Sequence, residues 1–214
     1  MILALDYDGT LVDSYTIVPS IYERIREDLN LNEGFVDAML MVEELGDYFG
    51  IFDRGKWIRF IIRDNPDYII NLYWKIRTEN QIILPGTIEF LEKYKDKIDL
   101  YLVTSVDDTK EIKLKRIKKT GLDKYFNEIL IYGDEELKTI NDALEYLNDL
   151  GKLEGYIDDK NTNLYKIIEK KLKIKLFKKI YYPPYPLKLA WNYPELNIPK
   201  ILNLFELKQY INIE

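Results

Sequence analysis

The order of apolar segments predicts an α/β fold, a doubly wound parallel sheet with an inserted helical domain. Three observations predict it. From Pro85 onward, short apolar runs alternate with helical runs of roughly 10–15 residues, the rhythm of strand–helix–strand units. One further apolar run, Ile2-Leu3-Ala4-Leu5, stands alone at the start of the chain. Between the two lies a stretch, residues 15–80, with helical periodicity and no convincing strand.

The first apolar run ends in an Asp-Gly turn and reads as a short buried strand. Ile17, Ile21, Ile25 and Leu29 then recur every four residues, which places them on one helix face. Further helices are expected at 34–45, 56–63 and 67–78. The second half predicts a helix at 86–94, a strand at 99–104 and a helix at 108–119 that stops at Gly121, a C-cap residue. A strand at 128–132 and a helix at 139–150 follow. The series closes with a strand at 153–157, a helix at 161–171 and a strand at 174–180. The chain therefore divides into a discontinuous α/β core, residues 1–14 and 81–214, and a helical cap, residues 15–80. The tract Tyr181-Tyr182-Pro183-Pro184-Tyr185-Pro186 is expected to be a stiff loop packed over a sheet edge, before a last helix at 199–210.

Composition removes whole classes of chemistry. The 214 residues contain no histidine, so a Ser-His-Asp triad, a phosphohistidine and a histidine-ligated metal are impossible. They contain no cysteine, so thiolate nucleophiles and zinc-thiolate sites are excluded too. Catalysis must run on carboxylates, Lys, Tyr, Ser or Thr, or on a hard cation held by oxygens. A formal net charge of −6 argues against a nucleic-acid-binding face. The lysines between 170 and 179 read as the solvated side of a helix and strand. The first apolar run is too short for a signal peptide or a membrane span, so a cytoplasmic protein without membrane contact is expected.

In a parallel sheet, sites form at the carboxyl ends of the strands. That edge collects Asp6 and Asp8 from the first strand and Thr104 from the second. Asp158 and Asp159 join them, with Lys138 at the start of the helix after strand 128–132. Each type suits phosphoryl chemistry. A carboxylate can attack phosphorus, and a divalent cation would allow the two anions to approach. Asp8 can protonate a leaving oxygen and later deprotonate water, an effect of about 10²–10⁴-fold. Gly9 lets backbone amides approach phosphoryl oxygens. Thr104 can donate to such an oxygen, and Lys138 can neutralise charge that builds in the transition state. The same acids do not form a calcium loop. Counted from Asp6, the positions that need Gly and Glu hold Leu11 and Ile17. The alternatives are ordinary ones: turn acids, a helix-capping threonine, a surface lysine, a helix-start acid pair. In the cap, Tyr48, Phe49, Arg54, Lys56 and Trp57 could recognise the organic part of a phosphate ester or could simply pack.

These segments resemble the haloacid dehalogenase-like (HAD) superfamily with a small helical cap. Asp6-Tyr7-Asp8-Gly9-Thr10-Leu11-Val12-Asp13-Ser14 is similar to the family's first motif. Leu84-Pro85-Gly86-Thr87-Ile88-Glu89 resembles the segment that leads to the second, and Leu102-Val103-Thr104-Ser105 resembles the second itself. Lys138 matches the third-motif lysine. Ile157-Asp158-Asp159-Lys160-Asn161-Thr162-Asn163 is similar to the fourth. The resemblance spans residues 1 to about 170. It implies a magnesium-dependent phosphatase acting on a small phosphorylated metabolite through an aspartyl phosphate. Asp6 would be the nucleophile and a metal ligand. Asp8 would be the acid/base and give its carbonyl to Mg²⁺. Asp159 would be the third ligand, with Asp158 close to the metal. Tyr7, Asp8, Gly9, Thr104, Ser105 and Lys138 would surround the phosphoryl group. Thr139 stands where the family often has proline after the lysine, so Lys113, Lys115, Lys118 and Lys119 are rival candidates. A phosphotransferase or mutase, and a non-catalytic binding protein on the same fold, are the competing readings.

Overall fold

The computed structural model describes residues 1–213. A six-stranded parallel sheet forms its centre, built from β1 (Ile2–Leu5), β4 (Asp99–Ser105), β5 (Glu128–Tyr132), β6 (Leu153–Asp158), β7 (Lys175–Lys179) and β8 (Lys200–Ile201), in the order β5-β4-β1-β6-β7-β8. The strand order reverses at β1, so the carboxyl ends of β4, β1 and β6 lie side by side where a crevice forms. Alternation along the strands divides the core. Leu3, Leu5, Leu100 and Leu102 face α5 (Thr87–Tyr94), α6 (Lys110–Thr120) and a 3₁₀ turn (Leu204–Gln209). Ile2, Ala4, Val103 and Tyr156 face α7 (Ile140–Leu150) and α8 (Asn161–Lys170). Both faces are covered, as a buried parallel sheet requires. Gly121, left-handed at φ 69°, closes α6, and Thr139 and Asp142 cap the start of α7 reciprocally.

Between β2 (Val12–Asp13) and β3 (Ile82–Ile83) the chain forms α1 (Val18–Asp28), α2 (Phe35–Phe49), α3 (Arg54–Ile61) and α4 (Pro66–Glu79). These two short strands pair antiparallel, with Val12 opposite Ile83 and Asp13 opposite Ile82. The pairing joins the two connections of the helical insertion into one ribbon. The insertion has its own core, in which Val18, Ile21, Ile25, Ile58, Ile69 and Tyr73 are buried. At its centre lies the Glu43 carboxylate. It accepts hydrogen bonds from Tyr22 (2.7 Å), Tyr73, Tyr185 (3.3 Å) and the Arg54 guanidinium (3.2 Å). Burial alone would raise the Glu43 carboxyl, but Arg54, Arg77 and the phenols hold it below its ordinary value. Arg54 and Trp57 are therefore packing residues: the guanidinium lies 5.7 Å from the Trp57 ring centroid and is fully paired. Phe49 and Lys56 remain exposed.

Three expectations for the tail are corrected. Residues 199–210 form no α-helix: β8 pairs with the far side of β7, and Asn203 then caps the 3₁₀ turn. An uncovered β7 would leave backbone donors unpaired, and Pro199 and Ile201 supply their carbonyls to Lys178 and Ile180. The aromatic tract packs on the insertion rather than over a sheet edge. Tyr185 enters the Glu43 cluster, while Leu187 and Leu189 (of the short α9, Leu189–Asn192) donate backbone N–H groups to Glu44. Lys178 and Lys179 are buried, not solvated, because both edges and faces of β7 are covered. Their ammonium groups are met by main-chain carbonyls. Among the described residues no helix is long and apolar enough to cross a membrane.

Candidate active site

The first loop is a tight turn built on β1. The Asp6 amide extends the strand ladder to the Ile157 carbonyl (2.9 Å), and the amides of Leu11 and Val12 both return to the Tyr7 carbonyl (3.0 Å). Gly9 sits at φ +81°, and a Cβ there would overlap the Asp159 carboxylate. Only glycine meets both conditions. A Gly9→Ala variant is expected to lose about 1–2 kcal/mol from backbone strain alone, roughly 2–8 °C in melting temperature for a chain of this size. Thermal denaturation checks this, and an unchanged midpoint would show that the loop can relax.

Asp6, Asp158 and Asp159 converge. One carboxylate oxygen of each lies within 4.8 Å of the others, and all three residues are buried. Burial, then the charges of Asp158 and Asp159, push the Asp6 carboxyl well above its ordinary value. Burial and Asp158 raise Asp159 to about 7, against the pull of Lys160 and Lys178. Asp158 is held by the Tyr156 hydroxyl (2.7 Å), the Lys160 amide (2.7 Å) and the Asn163 side-chain amide (2.9 Å). Asp159 accepts from the Trp191 indole through Oδ2, while its Oδ1 is buried without a partner among the described residues. The Thr104 hydroxyl, at the end of β4, is a second such orphan. Three buried carboxylates repel one another unless a cation lies among them. An all-oxygen donor set with an unsatisfied carboxylate oxygen fits a hard divalent ion such as Mg²⁺.

Asp8 is held from three sides. Lys113 and Arg116 of α6 both pair with its carboxylate, and Ser14 donates to it. The same two cations pair with Asp107 at 3.0 and 2.9 Å. Arg77, on α4 of the insertion, donates to Ser14 (3.3 Å) and to the Tyr73 hydroxyl (2.7 Å). Burial would raise the Asp8 carboxyl, but Arg116, Lys113 and Arg77 hold it well below its ordinary value. Of the four lysines considered on α6, only Lys113 faces inward; Lys115, Lys118 and Lys119 are exposed.

Lys138 stands exposed just before α7, with no hydrogen bond or ion pair among the described residues. It lines a cavity of about 650 Å³ between the 50–56 segment of the insertion and the carboxyl ends of β4 and β5. The Tyr7 ring packs in the sheet core, with its hydroxyl on Gln81 (3.0 Å) and the Arg116 carbonyl (3.1 Å). Its side chain therefore cannot meet a ligand beside Asp6, and only its main chain lies on the loop. Ser105 ends β4, half-buried beside Thr104.

Sequence reasoning did not single out Arg116, Arg77, Lys160 or Lys178. Lys160 is buried and paired with Asp47 of α2 at 2.9 Å. Burial brings the Lys178 amine down to about 8 against the pull of Asp159 and Asp158, and it donates to the Asp159 carbonyl and to the Trp191 carbonyl (3.0 Å). One signal was available: Lys113, Arg116, Ile117 and Thr120 share the 3–4 spacing of a single helix face. That face is the one Ile117 turns to the core.

Comparison with known proteins agrees with this architecture. The family model for haloacid dehalogenase-like hydrolases matches residues 3–165, well over half of the chain. No curated protein matches. Among solved structures, a Bacillus subtilis protein described as the HAD-hydrolase YfnB, bound to magnesium, superposes with a TM-score of 0.70 at 17% identity, covering 99% of this chain and 98% of that one. A predicted phosphoglycolate phosphatase from Haemophilus somnus gives 0.67 at 17% identity, covering 97% and 96%. A haloacid dehalogenase-like family protein from Streptococcus pneumoniae gives 0.65 at 15% identity, covering 98% of each chain. Identities this low speak for the fold alone. With the family model matched over residues 3–165, the chain belongs to the haloacid dehalogenase-like hydrolases.

Proposed function

We propose that this hydrolase is a magnesium-dependent phosphatase that cleaves a small phosphomonoester through an aspartyl phosphate on Asp6. The observation that carries the reading is the buried cluster of Asp6, Asp158 and Asp159, with Asp8 two residues from Asp6 on the same tight loop. No ion pair reaches these three carboxylates among the described residues, and a phosphate ester would bring more negative charge to them.

Asp6 attacks phosphorus, and the bond from phosphorus to the ester oxygen breaks. Asp8 gives its proton to the departing oxygen. As a carboxylate it then takes a proton from the water that attacks the phosphoenzyme, which releases phosphate and restores Asp6. The paired, ionised Asp8 described above is the form suited to the second step. The first step requires a protonated Asp8, loosened from Lys113 and Arg116. Mg²⁺ bound by Asp6, the Asp8 carbonyl and Asp159, with Asp158 beside them, would neutralise charge on the phosphoryl oxygens. Thr104, Ser105 and the main chain of Tyr7 and Gly9 are assigned to those oxygens, and Lys138 to the charge that builds during transfer. Residues 15–80 serve as the cap over a core of residues 1–14 and 81–214. Such a cap suits a small metabolite, since a closed lid excludes bulky substrates.

The direct test is phosphate release from sugar phosphates, nucleotides, small acid phosphates, lipid phosphates and p-nitrophenyl phosphate, with Mg²⁺ or with excess EDTA. Turnover of at least one ester with Mg²⁺, abolished by EDTA, is expected. Absence of turnover across the whole panel in Mg²⁺ would sink the reading and favour a non-catalytic role.

A further inference from the structure

The cavity between the insertion and the carboxyl ends of β4 and β5 pairs its charges unevenly. Four carboxylates line it, and all are engaged. Asp53 caps α3 and pairs with Lys56. Asp107 holds Lys113 and Arg116. Asp108 accepts from the Arg54 and Gly55 amides and from the Trp74 indole at 2.7–3.0 Å. Asp134 pairs with Lys110 and accepts the Glu136 and Leu137 amides. Four lysines also line it. Lys56 and Lys110 are matched by those acids, whereas the Lys138 and Lys166 ammonium groups have no hydrogen-bond or ion-pair partner among the described residues. Lys138 is assigned above to the transferred phosphoryl group. Lys166 has no such task.

Lys166 belongs to α8 of the core, yet its ammonium lies against Gly50 of the insertion, 3.1 Å from where a Cβ would stand. Partial desolvation and the nearby Lys160 lower its amine, against the opposite pull of Asp158. Yet the residue as a whole is exposed, so its unpaired ammonium is open to a ligand entering the cavity. Two neutral orphans stand in the same wall. The Asn141 Oδ1 is buried and unpaired, although its amide donates to the Lys166 carbonyl at 3.3 Å. The Tyr132 hydroxyl is buried and unpaired as well, in a residue only 5% exposed. Tyr132 lines the cavity, and after burial the charges of Asp158 and Asp6 most strongly raise its hydroxyl. A volume of about 650 Å³ is ample for a small metabolite.

We infer that the substrate is a small phosphomonoester whose organic part carries a second anionic group, a carboxylate or a second phosphate, received in this cavity by Lys166. Asn141 Oδ1 offers an acceptor for a hydroxyl of the same molecule. The inference rests on the phosphatase reading and narrows it to dianionic-tailed or acid-tailed esters.

The test compares kcat/KM for 3-phosphoglycerate (carboxylate arm), 1,3-propanediol bisphosphate (phosphate arm) and glycerol 3-phosphate (neutral arm), with Mg²⁺. At least one anionic arm is expected to exceed the neutral arm by about 10-fold, the worth of one charge-assisted hydrogen bond. Lys166→Met should bring that ratio close to one, mainly through KM, and Lys166→Arg should keep it. Equal kcat/KM for all three esters in the wild type, or a preference that survives Lys166→Met, would overturn the inference. Magnesium-dependent turnover of p-nitrophenyl phosphate separates the two readings. If it is present and the anion preference is not, only the tail assignment falls. If no ester is turned over, the phosphatase reading falls and takes this inference with it.

Discussion

Asp6→Asn is expected to lower phosphatase turnover by on the order of 10⁴-fold or more, and to leave no trappable phosphoenzyme. Asn keeps the shape of Asp6 and its amide stays in the ladder to Ile157, so the loss would be one of chemistry, not of fold. A second readout has the opposite sign. Asp6 is buried against Asp158 and Asp159, which push its carboxyl up. Removing one of three repelling acids should leave melting in EDTA unchanged or higher. Mg²⁺ should stabilise the wild type more than the variant, because binding to the folded state adds stability in proportion to the logarithm of ligand over Kd. Single-turnover assays and thermal melts with and without Mg²⁺ measure both. Turnover within tenfold of wild type would remove Asp6 from the reaction.

Glu43→Leu is expected to be the most destabilising single change in the insertion, by about 3–5 kcal/mol, the usual cost of stranding one partner of a buried ion pair. For a chain of this size that is roughly 6–20 °C in melting temperature. Glu43 is fully buried and gathers Tyr22, Tyr73, Tyr185 and Arg54 from α1, α4, the tail and α3. Its loss leaves three phenols and a guanidinium short of an acceptor. The effect should also depend on pH. The Glu43 carboxyl is depressed in the folded state, so its contribution is full above the ordinary carboxylate range and fades as pH falls through the folded value. The gap between wild type and variant should therefore narrow in acid. A gap below about 2 °C at neutral pH, or one that widens in acid, would contradict this account of the cluster.

Much of the core was legible in the sequence because its signals are local. Strand 128–132 follows from the four-residue apolar run Ile129-Leu130-Ile131-Tyr132 after Glu128, bounded by turn residues, and it is found at those limits as β5. Gly121 marks the end of α6 because a left-handed residue can close a helix cheaply only as glycine. The acids of the site were legible for a different reason. Each follows a strand, and parallel strands deliver their ends to one edge, so Asp6, Asp158 and Asp159 meet without a long-range signal. The tail was not legible. Its strand β8 exists because β7 would otherwise be an open edge, and its aromatic tract is placed by Glu43 and Glu44, more than 130 residues away in the chain.

The partners of the site belong to the same second class. Sequence alone determined which groups are available: no histidine, no cysteine, a pair of acids on the first loop and a pair after the sixth strand. It thereby limited any catalysis to carboxylates, Lys, Tyr, Ser or Thr, or a hard cation held by oxygens. Only the tertiary structure decided which cations meet those acids. Lysine and arginine look alike along α6, and helix periodicity leaves several candidates. Packing against Tyr7 turns Lys113 and Arg116 to Asp8, while the insertion brings Arg77 to Ser14 and Asp47 to Lys160. A charged side chain is long, flexible and indifferent to register, and its partner is chosen by what else is buried beside it.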